Sequence, residues 1–241
     1  MGFFGRKRAP SVPHPRKEPR FDGPLTLERL EQIFQDCVDF TKRPVSLGEG
    51  GACTLTLCYL SGMVKMERVS DYVLRPLAQD EALARCGTPR QAMDRMKDGA
   101  LYNLSAEERT RLDAAVFDLV NGCCLLLFPG ESSVLSLNVG TEEKRSISSP
   151  SNETVLKGSR DAFVEGLRTN TSIVRRHLKA PELRIREQVV GRQSVTSVDI
   201  LYIEGLTNPH LVEQVAAQLA DIDIDAVLAT GNIEEYIVPA A

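Results

Sequence analysis

A chain of 241 residues, 42% apolar and with a formal charge of −4, is long enough to bury a real core as one large domain or two small ones. Its longest unbroken apolar run, Cys123 to Phe128, falls far short of the roughly 20 residues that a membrane helix needs, so nothing in it reads as a bilayer span.

Residues 1–24 carry Arg6, Lys7, Arg8, Arg16, Lys17 and Arg20 against Glu18 and Asp22, a local charge of +4 that leaves −8 on the remainder. Five prolines there disfavour a helix, and the composition predicts an extended, solvated, disordered tail. Two readings of the tail stand side by side: a solubilising leader, or contact with an anionic membrane surface, where each basic residue is worth on the order of 1 kcal/mol. Nucleic acid is not expected as a partner, because no basic patch interleaved with aromatics continues into the folded part. The start, Met1 to Arg6, lacks the apolar stretch of a signal peptide.

Thr26 is positioned to cap a helix with Leu27, Leu30, Ile33, Phe34, Cys37 and Val38 on one face, running to about Lys42. Gly48 to Gly51 reads as a turn, Ala52 to Leu60 as a strand, and Glu67 to Leu77 as a helix ended near Pro76. Ser105 with Glu108 has the spacing of a capping box, opening a helix with Leu112, Ala115, Val116 and Leu119 inward and Gly122 as its stop. Strands follow at Cys123 to Phe128 and Val134 to Val139. A helical stretch begins at Ser159, with Asn170 a second candidate cap; strands at Leu183 to Val190 and Val195 to Ile203 and a helix at Pro209 to Ala220 complete the chain.

Tyr59-Leu-Ser-Gly62 matches Tyr202-Ile-Glu-Gly205 at an offset of 143 residues, and the apolar positions of the helices that follow keep that offset. This suggests a duplicated strand-to-helix unit. The expected fold is therefore α/β, with two small mixed-sheet lobes and flanking helices: residues 25–121 in the first lobe and 122–241 in the second, with segments crossing between them. Gly62, Gly158, Gly191 and Gly205 are expected as structural turn positions.

Catalysis is not expected. The three histidines, His14, His177 and His210, are scattered, and no nucleophile and base can be paired. Six cysteines, at 37, 53, 58, 86, 123 and 124, lack metal or redox spacing and read as buried free thiols. Asp221-Ile-Asp-Ile-Asp225 starts like a calcium loop, but Ala226 stands where glycine is required; its isoleucines read as core and its aspartates as solvated. Neither a metal nor a cofactor is implied.

The stretch from Gly158 to Leu178 couples helical apolar spacing to charge. Phe163, Leu167, Val174 and Leu178 can face a core, while Asp161, Glu165, Arg168, Arg175 and Arg176 face outward or pair. Arg160, Glu165, Arg168, Asn170, Arg175 and Arg176 are the candidate functional residues, as a network tying the lobes together or as an interface, since arginine's planar fork suits bidentate contacts.

From Asn121-Gly122 through Glu153 to Glu165, the Arg175-Arg176 doublet, Leu201 to Leu206 and Thr230 to Ile237, the sequence resembles the soluble N-terminal region of the A subunit of GerA-type spore germinant receptors, or its stage V sporulation paralogue. Ser159 stands where that family usually has proline, and Asp161-Ala162 where it has Glu-Gly. The resemblance implies a soluble region at the cytoplasmic face of the spore inner membrane. There it would serve as an assembly, signalling or gating platform for a nutrient-triggered ion-release complex with B- and C-type subunits, a homo-oligomer at full length. The family continues into a multi-helix membrane domain, so the chain reads as a soluble fragment or a truncated relative, with the linker to that domain expected at Val238 to Ala241. If lobe movement is coupled to the membrane helices, replacing Arg175 and Arg176 is expected to abolish the germination response without unfolding the domain. Two other classes remain open: a small-molecule module holding an amino acid or sugar in an inter-lobe cleft, and a soluble sporulation regulator.

Overall fold

In the computed structural model, residues 20–47, 53–101, 106–140, 162–227 and 229–237 are described. Thr26 caps α1 (Leu27–Ile33), its Oγ1 accepting from the Arg29 amide at 3.3 Å. The helix stops there rather than at Lys42. Asp36 takes a left-handed conformation (φ 56°), which ends helical winding, and Phe40–Ser46 becomes strand β1. β1 pairs in full antiparallel register with β2 (Thr54–Leu60), from Phe40 opposite Leu60 to Ser46 opposite Thr54.

The helix after β2 continues past Pro76 as α2 (Met66–Val69), a π turn (Ser70–Leu74) and α3 (Arg75–Gln79). Proline cannot donate to the carbonyl four residues back. The wide turn directly before it, closed by the Arg75 amide on Ser70 O, carries the helix through. Two short helices follow, α4 (Glu81–Ala84), capped by Asp80, and α5 (Pro89–Arg95), capped by Thr88 with proline in its first turn.

Of the capping box expected at Ser105 and Glu108, Ser105 lies outside the described residues, and Glu108 lies in a strand, β3 (Ala106–Arg109), rather than in the first turn of a helix. Glu108 serves instead as a charge centre, accepting from Arg90, Lys97 and Ser133. Those bonds hold its carboxyl down at about 2. A carboxylate lowered by folding stabilises the fold above its unfolded range and loses that contribution as pH falls. Stability measured by urea unfolding is therefore expected to fall by about 1–2 kcal/mol between pH 5 and pH 2, discounted for solvent screening, with Glu108→Gln flattening that limb. An unchanged acid limb in the variant would refute the assignment.

Helix α6 (Leu112–Val120) ends at Gly122 as expected. Gly122 has φ +88°, and a Cβ there would stand 2.7 Å from Met63 O. Strands β4 (Cys123–Leu127) and β5 (Val134–Asn138) complete an all-antiparallel sheet in the order β1-β2-β4-β5-β3. Alternation sets its two faces. Leu55, Leu57 and Tyr59 of β2, with Leu126 and Leu135, pack under α2 to α5 on Val73, Leu77, Leu83 and Met93. Cys58, Leu60, Leu125 and Leu127 point the other way, onto Leu30 and Phe34 and onto Leu112 and Leu119 of α6. With both faces covered, β4 reads in sequence as one unbroken apolar run.

The described chain resumes before α7 (Leu167–His177) and continues as a second sheet, the hairpin of β6 (Leu183–Val190) and β7 (Thr196–Ile203). Helix α8 (Pro209–Ala220), with Asn208 as its cap, lies on that hairpin, where Val190, Leu219 and Ile222 form a small core. A single turn, α9 (Gly231–Glu234), follows. Ile222 is buried while Asp221, Asp223 and Asp225 are exposed, as expected. β4 and β5 follow residue 122 yet belong to the sheet of β1 and β2, so sheet membership does not change at the boundary expected there.

The matched glycines of the repeat do different work. Gly205 needs its positive φ (+77°) and has open space, whereas Gly62 has no such φ and is hemmed in by Ser172. All six cysteines are free; Cys37, Cys58 and Cys124 are buried. Burial pushes the Cys58 thiol up to about 12, which keeps it protonated and unreactive at neutral pH.

Candidate functional site on helix α7

Helix α7 opens at Gly166 without a side-chain cap. Asn170 is not the cap expected; it sits in the first turn and clamps the incoming chain, its carboxamide bonding both the amide (2.8 Å) and the carbonyl (2.7 Å) of Val164. Because the helix begins at Leu167, its apolar phase does not reach Phe163. Phe163 and Leu178, expected inward, are exposed. Gly158, Arg160 and Asp161 lie outside the described residues, Glu165 is exposed ahead of the helix, and Arg176 is half-buried.

The buried face of α7 is polar: Thr171, Ser172 and Arg175 accompany Ile173. Ser172 sits against the turn after β2, where a Cβ on Gly62 would lie 2.6 Å from its own Cβ. Only glycine permits that approach. One turn on, Arg175 is fully buried and binds Asp39 bidentately, Nε to Oδ2 and Nη2 to Oδ1, both at 2.9 Å. Asp39 stands just before β1, and its carbonyl accepts from Ser61 at 2.8 Å, so the pair ties α7 to both strands at the open end of the β1–β2 hairpin.

At the opposite end of α7, Arg168 donates to Asp199 Oδ2 at 3.1 Å and also contacts Glu187. Burial pushes the Asp199 carboxyl up, against the pull of Arg168. A second seam joins β6 to the chain between α1 and β1: Val38 donates to Ile185 O (2.9 Å), Ile185 to Asp36 O (3.1 Å), and Arg184 to Ile33 O (2.7 Å). The left-handed Asp36 thus turns the chain from helix to bridge.

Of the candidate residues, the structure places Arg168, Asn170, Arg175 and Arg176 on one helix and gives Arg168 and Arg175 carboxylate partners that sequence reasoning missed. Glu187 and Asp199 carried a signal, as acidic residues inside strand patterns. Asp39 carried none, being 136 positions from Arg175. Gly191 (φ +89°) and Gly205 (φ +77°) have left-handed backbone, at the β6–β7 connection and after β7. Among the described residues no group of three His, Cys, Asp or Glu could hold a metal. A cavity of about 690 Å³ opens at the start of α1, lined in part by Thr26, Thr54, Thr56, Thr110 and Ser133, with no contribution from α7. The arrangement around α7 can join elements and transmit their relative position; Arg168 and Arg175 are committed to internal carboxylates.

A family profile described as Bacillus/Clostridium GerA spore germination protein matches residues 28–241. The chain belongs to the GerA family. The match takes in the first sheet as well as the region from Gly122 onward. The chain is 31% identical over 211 residues to the uncharacterized membrane protein YfkQ of Bacillus subtilis (strain 168), covering 88% of this chain and 40% of the relative. It is 30% identical to spore germination protein KA of the same strain (83% and 36% covered) and 30% identical to its stage V sporulation protein AF (76% and 37%). The matched stretch thus spans less than half the length of these GerA-family relatives. The crystal structure of the N-terminal domain of the A subunit of the Bacillus megaterium spore germinant receptor GerK3 has the same fold, with a TM-score of 0.66 at 24% identity, covering 88% of this chain and 76% of that one. Among the described residues no helix is long and apolar enough to cross a membrane.

Proposed function

We propose that this GerA-family chain is the N-terminal region of a spore germinant receptor A subunit, acting in nutrient-triggered germination as an assembly or gating platform for a complex with B- and C-type subunits at the spore inner membrane. The match of nearly the whole chain to the family profile carries this reading, and the shared fold with a receptor A-subunit N-terminal domain supports it. In it, α7 is the mechanical connector: it holds the five-stranded sheet through Gly62 and Asp39 and the hairpin through Asp199, so a displacement of one unit reaches the other. The basic segment 1–24 suits contact with an anionic leaflet.

The test is to express the full-length gene with B- and C-type partner genes in a spore former stripped of its own receptors. A fall in the optical density of the spore suspension on exposure to amino acids or sugars is expected. Absence of any response across the nutrient panel, with the protein present in the inner membrane, would overturn the reading.

A further inference from the structure

Glu187 and Asp199 are direct partners in the β6–β7 register, so their side chains leave the same face of the hairpin side by side. Like charges opposed across an antiparallel pair repel. That face meets α7, from which Arg168 alone reaches both, Nη1 to Asp199 Oδ2 at 3.1 Å and Nη2 to Glu187 Oε2. Two carboxylates thus share one guanidinium, itself about half exposed and therefore screened by water. The Asp199 side chain is fully buried, and its Oδ1 has no hydrogen-bond partner among the described residues.

The surrounding charges do not relieve the excess. From the start of β1 comes another acid, Asp39, whose two oxygens are taken by Arg175. Helix α8 packs on the opposite face of the hairpin, where Glu213 pairs with Arg186.

We propose that the junction between α7 and the hairpin is a proton-linked latch, in which Asp199 takes up one proton from solvent when α7 is docked and returns it when α7 lifts away. The docked junction is then weakest with both carboxylates ionised. Burial and the neighbouring Asp39 push the Asp199 carboxyl up, with Arg168 opposing. Because the docked form holds the extra proton, docking strengthens as pH falls through the docked midpoint and weakens as pH rises above it. A single proton limits the change to about tenfold per pH unit.

Hydrogen exchange of the α7 amides, corrected for intrinsic rates, reads this on the 241-residue chain. Protection is expected to rise from pH 7.5 to pH 4, by at most about tenfold per pH unit. In Asp199→Asn, a neutral mimic of the protonated acid, it should stay high and flat, and Arg168→Gln should steepen the wild-type slope. A flat wild-type profile overturns the proposal, and so does a slope that survives in Asp199→Asn. Should the variants fail to fold, carboxyl-carbon NMR of the wild-type chain decides. An Asp199 midpoint above the ordinary aspartate value of about 3.9 supports the latch, and one at or below it refutes it.

Discussion

Arg175→Met is expected to lower the unfolding free energy by about 3–5 kcal/mol, because it strands the Asp39 carboxylate in a site that is only 5% exposed. Replacing both partners, Arg175→Met with Asp39→Leu, removes the buried charge together with its neutraliser and should restore most of that loss. Urea unfolding of the single and the double variant beside wild type gives the answer. A single Arg175 variant within 1 kcal/mol of wild type would mean that the pair is not closed in solution. This changes what the arginine doublet can be asked to report. Under the proposed function, a germination defect on replacing Arg175 would report a damaged domain rather than lost signalling.

Gly62→Ala should cost about 1–3 kcal/mol, since the new methyl would come within 2.6 Å of Ser172 Cβ and 3.1 Å of its Cα, forcing α7 off the β2 turn. The variant Ser172→Gly removes the atom it would strike, at the roughly 1 kcal/mol that glycine costs inside a helix. The double variant is expected to be more stable than the sum of the single changes allows, by about 0.5–2 kcal/mol. Strict additivity in a double-mutant cycle would show that the two residues do not touch.

Much of the architecture could be read from the chain. The strands at Cys123, Val134 and Leu183 and the helix from Pro209 to Ala220 carry clean periodicity, and the structure places them almost where it predicts. Misreadings occur where a long-range contact overrides a local signal. Phe34 to Val38 continues an apolar helical stripe, yet bridging to Ile185 and the left-handed Asp36 end the helix early. Glu108 has capping-box spacing, but pairing of β3 with β5 claims its backbone and three donors claim its side chain. The short helices after Gln79 were not anticipated, because their apolar positions are too few to show a period. At α7 the arginines stood out while their partners did not. Polar contacts between distant segments leave no trace in spacing, and a buried polar helix face is opposite to what amphipathic pattern leads one to expect.

The tie between Asp39 and Arg175 also orders events in time. All five strands of the first sheet lie before residue 139, whereas the arginine that neutralises Asp39 is made about 37 residues later. At roughly 5–20 residues per second of synthesis, that is an interval of about 2–7 s. Throughout it the sheet can close while Asp39 remains open to water, and α7 is laid down against a sheet already made, ahead of the hairpin and α8 that follow it in the chain. A nascent chain stalled before residue 175 should therefore present a folded sheet with both faces covered and only Asp39 and the Gly62 turn left open to water.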